Sequence, residues 1–350
     1  MPREPHLDIP FDWHPNPELP AARERHIVWA RRFGLLDDPG LARRYTASNT
    51  VDIATFLAPD ARGAGLDLIV DLAGCFFLFD DQFDLPPGQW PTDAVALCHD
   101  CMNVVTSNSP AAPGTARLLA AFADFWQRTL AGRPAWWRAL IIADWIGYFE
   151  GCLTEVTAHH TAGSRIGVDD YLAYRRATIG QRPTVDTIEA ALGCDIPSTA
   201  RTSPLPAAML TLTVEANLLI NDYYSLEKDE ACDTPNLITS LMHDRGWSRS
   251  RAVAQVAEQT ARLAHRFLTL KQDIPGLCDQ LGLNAHDREH VHLYIDILQN
   301  TVVGSARWSE VADRYTPAAV SQVARTGSGV WQHDTTLAPL PNQPTTPSTW

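Results

Sequence analysis

A chain of 350 residues is long enough to bury a large core, as one big domain or two smaller ones. Hydrophobic residues make up 45% and charged residues 20%, an ordinary globular composition that excludes a disordered or fibrous chain. The formal net charge of −13 argues against a general nucleic-acid binder, which needs a basic face, and admits an anionic ligand only where cations mediate.

In chain order, residues 1–20 carry Pro2, Pro5, Pro10, Pro15 and Pro17 and end at Pro20, which predicts an extended arm. Helical periodicity then covers 21–36, 40–57, 63–82, 92–106, 113–130, 134–160, 168–179, 183–192, 204–228, 234–242, 247–273 and 285–314. Pro59, Gly63, Pro86-Pro87-Gly88, Pro110 to Gly114, Gly132 to Pro134, Gly163, Gly180 and Pro183 punctuate it. Strand alternation is scarce, and periodicity fades after Tyr315 into a Thr/Pro-rich end. The expected organisation is all-α: an arm over 1–20, one helical domain over 21–320 and a tail over 321–350, expected to be disordered. The most apolar stretch, Leu66 to Phe79, is too short for a bilayer and carries Asp67 and Asp71, so no membrane anchor is expected. Seven cysteines, an odd number, several in apolar segments and with no signal peptide before them, read as reduced thiols of a cytoplasmic protein.

The segment FLFDDQFD, residues 77–84, sets Asp80, Asp81 and Asp84 directly behind aromatic side chains. A helix through it puts Asp80 and Asp84 on one face, with Phe76 and Phe77 one turn below. Such crowded carboxylates are tolerated at a solvated helix end, or where a hard divalent cation such as Mg²⁺ neutralises them. NLLINDYYSLEKDE, residues 217–230, holds a second set. Asn221, Ser225 and Asp229 fall at i, i+4 and i+8, a slightly drifting stripe of oxygen donors suited to a hard ion, with Val214 and Leu218 apolar below them. A helix passing from core to solvent would look similar, but two helices ending alike make that explanation weaker.

These residues carry a resemblance. Asp80-Asp81-Gln82-Phe83-Asp84 matches the D-D-x-x-D motif of bacterial class I terpene synthases, and Asn221 to Asp229 resembles their N-D-x-x-S-x-x-x-E motif. YLAYRRATIG (171–180) resembles the family's arginine segment upstream of that motif, and WSEVADRY (308–315) its C-terminal ending. One position departs: Asp229 stands where the family usually has Glu. Glu230 follows it but points about 100° away on a regular helix, so Asp229 is the preferred ligand.

The resemblance implies a helical bundle with a deep central cavity. It implies that three Mg²⁺ ions, with no organic cofactor, bind the diphosphate of a linear isoprenoid, which ionises to an allylic cation and cyclises. Arg175, 46 residues before Asn221, is implied as the diphosphate sensor, with Arg176 as the fallback. Thr178 and Ile179 are implied at the hinge, and Lys228, Arg314 and Tyr315 in contact with diphosphate. Phe76, Phe77 and Trp308 are candidates to stabilise the cation through their ring faces. A chain of this size most resembles sesquiterpene synthases, hence farnesyl diphosphate going to a sesquiterpene hydrocarbon or alcohol, in a monomer or homodimer. Monoterpene or diterpene cyclisation, a prenyl-elongating transferase and a non-catalytic isoprenoid-binding protein are the rivals. Zinc at Cys98-His-Asp-Cys101 lacks a second ligand pair, and zinc at His286 and His290 lacks a third ligand.

Overall fold

A computed structural model of the chain describes residues 7–83, 90–109, 114–162, 165–326 and 337–340. Among them the helices are α1 (Leu19–Arg32), α2 (Pro39–Ala47), α3 (Ile53–Leu57), α4 (Gly63–Asp80), α5 (Thr92–Ser107), α6 (Arg117–Leu130), α7 (Ala135–Ala162) and α8 (Val168–Thr178). They continue as α9 (Gln181–Ala191), α10 (Ser198–Arg201), α11 (Pro204–Cys232), α12 (Leu237–Arg245), α13 (Arg249–Lys271), α14 (Ile274–Gln280), α15 (Ala285–Val311) and α16 (Pro317–Thr326). No strand occurs among the described residues, so the all-α class holds. No helix among them is long and apolar enough to cross a membrane.

The apolar run Leu66–Phe79 becomes the central helix α4, buried on nearly all sides beneath α1, α3, α6 and α9. A helix hydrophobic all round is stable only inside such a bundle. The long helices α11 and α15 pack side by side, and α13 covers α11 from outside. Gly304 permits the approach of α15 to α3, since a Cβ there would lie 2.1 Å from the Phe56 carbonyl oxygen.

Three helices expected to be continuous are broken. The span 40–57 divides because Asn49 adopts φ 47°, a left-handed corner that Asn tolerates better than most residues, and a 3₁₀ turn at Thr50–Asp52 leads into α3. Helix α4 stops at Asp80, and Gln82 and Phe83 donate to carbonyls three residues back. Helix α15 stops at Val311, where Ala312 turns extended before a 3₁₀ turn at Asp313–Tyr315.

The arm docks on the bundle. Phe11 meets the ring of Phe267 at 5.5 Å, Trp13 stacks on Phe56 at 5.0 Å, and Asn16 donates to the carbonyls of Ala58 and Ala61. Helix α16 runs through the tail boundary expected at 320, and Ala338 and Leu340 pair with Arg117 and Thr115. The rest of the tail lies outside the described residues.

Candidate active site

A cavity of about 490 Å³ opens between α3, α4, α7, α11, α15 and the break separating α8 from α9. Asp80, Arg175, Thr178, Ile179, Asn221, Ser225, Lys228, Asp229, Arg314 and Tyr315 all line it, together with Phe76, Phe77 and Trp308. Four segments distant in sequence therefore meet in one chamber.

Because α11 is unbroken, its i, i+4, i+8 stripe stays on one side. Asp229 accepts from the Ser225 hydroxyl at 2.5 Å and from Asn236 at 2.8 Å. Glu230 is turned away and pairs with Arg249 at 3.2 Å. Arg175 donates to the Asn221 side-chain oxygen at 2.7 Å, and Asn221 donates to the Tyr315 hydroxyl at 3.4 Å. Arg176 lies exposed against Glu215.

Residues 71–266 match the family described as "Terpene synthase family 2, C-terminal metal binding". The chain belongs to the terpene synthase family. It is 36% identical to pentalenene synthase of Streptomyces avermitilis over 323 residues, which covers 90% of this chain and 94% of that one. It is 33% identical to the (−)-β-caryophyllene synthase of Saccharothrix espanaensis, over 90% of this chain and 89% of that one. The crystal structure of linalool/nerolidol synthase from Streptomyces clavuligerus superposes with a TM-score of 0.80 at 31% identity, covering 87% of this chain and all of that one.

In this class I terpene synthase the first motif is only partly brought to the chamber. Asp80 lines it, whereas Asp81 is buried at the helix C-cap and does not. Asp84 lies outside the described residues, and α4 ends at Asp80. Phe76 stacks on Trp145 at 5.3 Å and meets Tyr148 edge-on at 5.1 Å. Phe77 sits against Trp308 at 5.7 Å, with the Arg314 guanidinium 4.9 Å from its ring centre. Trp308 does not lie two helical turns below Tyr315 as a continuous helix would place it. The break at Ala312 folds Tyr315 back to 6.0 Å from the Trp308 ring.

Four features of this synthase were not read from the sequence. Asp222, beside the metal stripe, is a buried hub that accepts from Tyr171 at 2.6 Å and from the Leu237 amide at 2.8 Å, with Arg175 at 3.5 Å. Burial pushes its carboxyl up to about 6, against the opposing pull of Arg175, Tyr171 and that amide. Glu155 lines the chamber beside Thr178, its carboxyl raised by burial. Its signal is the α7 stripe Tyr148, Cys152, Glu155 and His159, all lining residues. Below Asn221 the chamber meets polar Asn217, while Val214 and Leu218 pack into the core instead. Asn49 joins α3 to the end of α15. Its carbonyl accepts from Trp308, its side-chain nitrogen donates to the Val311 carbonyl at 3.1 Å, and its side-chain oxygen accepts from the Asp313 amide.

The donor set of Asp80, Asn221, Ser225 and Asp229 is all oxygen and fits a hard divalent cation. The Asn221 oxygen already receives a cationic donor from Arg175, so that position is built for positive charge. Cys98 and Cys101 are buried free thiols, and His290 accepts from the Asp195 amide at 2.9 Å. Among the described residues no three His, Cys, Asp or Glu side chains form a separate metal cluster.

Proposed function

We propose that this terpene synthase ionises farnesyl diphosphate with Mg²⁺ and cyclises the resulting cation to a sesquiterpene. The observation that carries the reading is the single chamber. It joins Asp80 and the Asn221–Ser225–Asp229 stripe to three cationic side chains above an aromatic wall.

Asp80 on α4 and the α11 stripe would hold the Mg²⁺ ions, taken to be three as the resemblance implies. Bound Mg²⁺ supplies neutralisation of the charge that develops on the departing diphosphate. Arg175, Lys228 and Arg314 bind the diphosphate oxygens, and the Tyr315 hydroxyl donates to them. Phe76, Phe77 and Trp308 keep bulk solvent out and present their ring faces to the cation. A relative named as cyclising (2E,6E)-farnesyl diphosphate favours the C15 substrate. The linalool/nerolidol synthase structure with 2-fluorogeranyl diphosphate keeps the C10 substrate as the second reading.

The test is incubation with the C10, C15 and C20 diphosphates, with Mg²⁺ and with EDTA, read by diphosphate release and gas chromatography–mass spectrometry. The expected result is a cyclic C15 product formed only with divalent cation and nearly abolished in Asp80→Ala and Asn221→Ala. Full turnover in EDTA would end the reading. A preference for the C10 substrate would favour the monoterpene reading, and a longer diphosphate formed from added isopentenyl diphosphate would make the protein an elongating transferase.

A further inference from the structure

The chamber is not a uniform hydrocarbon lining, and one of its polar side chains lacks a protein partner. Gly180, between α8 and α9, takes φ +66°, and a Cβ there would stand 3.2 Å from the Phe76 ring and 3.6 Å from that of Tyr148. The break therefore packs against the aromatic wall, and the residue after it, Gln181, begins α9 at the chamber surface. Gln181 is 5% exposed, and its side-chain nitrogen has no acceptor among the described residues.

Its polar neighbours in the lining differ. The Thr184 hydroxyl donates to the Gly180 carbonyl at 2.8 Å, and the Asn217 amide nitrogen donates to the Thr213 carbonyl at 3.0 Å. Those donors are spent on the backbone, while the Gln181 donors are not. A buried amide left unmade carries its full desolvation penalty, and buried polar groups of this kind usually hold an ordered water.

We propose that Gln181 is a positioning residue that holds a water molecule in the chamber and directs the reaction to end in water capture, giving a sesquiterpene alcohol. A water oxygen that accepts from the Gln181 amide keeps a lone pair free. That pair forms the C–O bond to the empty orbital of the final carbocation. The oxonium so formed passes its surplus proton to the diphosphate released at ionisation. Isoprenyl diphosphate and water thus become alcohol and diphosphate, with no oxidation or reduction.

This inference rests on the cyclase reading, and the experiment separates the two. Wild type, Gln181→Met, Gln181→Leu and Gln181→Asn are incubated with farnesyl diphosphate and Mg²⁺ in ¹⁸O-water. Diphosphate release and products are measured in the same tubes. Wild type is expected to give a main product carrying solvent ¹⁸O. The ratio of alcohol to hydrocarbon is expected to fall about tenfold or more in the Met and Leu variants, a shift of about 1.4 kcal/mol in partitioning. Gln181→Asn, one methylene shorter, is expected to lower the labelled fraction, which keeps the test intact if the apolar variants do not fold. Diphosphate release by wild type with a purely hydrocarbon product overturns the water site and leaves the cyclase standing. So does an unchanged ratio in variants that release diphosphate. No diphosphate release by wild type from C10, C15 or C20 substrate overturns both.

Discussion

Arg175 and Arg176 are adjacent in sequence, yet only the first faces the chamber, where it donates to Asn221 at 2.7 Å. The second makes an exposed pair with Glu215, of a kind worth about 0–1 kcal/mol. Arg175→Ala is therefore expected to lower the rate of diphosphate release by about 10²–10³, the scale of a lost donor to developing charge, and Arg176→Ala to change it little. Equal losses in single-turnover assays would remove the sensor role from Arg175. Phe76 presents a different case, because its ring is stacked on Trp145 and lines the chamber as part of the aromatic wall. Phe76→Leu should keep ionisation while destabilising one later cation by about 0.5–2 kcal/mol. Early-quenched and acyclic products should then rise at the expense of the main one. Product ratios that stay the same by chromatography would make Phe76 simple packing, and complete loss of ionisation would tie it to the metal site.

At the scale of elements, hydrophobic periodicity located the long helices well and their ends poorly. The end of α15 shows why. A helix continued through Tyr315 would carry Trp308 and Tyr315 on one face, but the chain leaves the helix at Ala312, and Asn49, far away in sequence, bonds both sides of that exit. Its bonds to Val311 and Asp313 satisfy backbone groups that a helix end leaves open, a tertiary effect that no local pattern contains. Asn49→Ala should lose both side-chain bonds and meet the steric penalty of φ 47°, about 1–2 kcal/mol for a residue with a Cβ. Asn49→Gly should lose the bonds without the strain. Both variants are expected to raise KM by loosening the segment that carries Arg314 and Tyr315, while only the alanine adds the larger drop in thermal midpoint. An unchanged KM in both would mean that the 3₁₀ turn at 313–315 holds its place without Asn49.

Over the whole molecule, the oxygen-donor stripe of α11 was legible because i, i+4, i+8 spacing on a helix needs no knowledge of neighbours, and Asp80 because it opens the matched D-D-x-x-D motif. The resemblance implied a chamber between them, but its full lining was not legible, because it depends on which face each helix turns inward. Helical spacing alone places Val214 and Leu218 under the metal stripe, where Asn217 stands instead, and Asp81 is buried and does not line the cavity. The same tight packing has a consequence for handling the protein. Six of its seven cysteines are buried and free, with Cys232 alone partly accessible. Burial pushes the thiols of Cys98 and Cys194 up to about 12, and thiolates rather than thiols attack labelling reagents. Native protein should therefore consume about one equivalent of an aromatic disulfide reagent quickly, and the other six only as fast as the bundle opens. Adding urea should release those six together at the unfolding midpoint. Fast labelling of several thiols in buffer alone would instead reveal local opening. Cys152 lines the chamber, so a ligand lodged there should delay its labelling beyond that of the buried cysteines outside the cavity, and the thiols would then time local and global breathing separately.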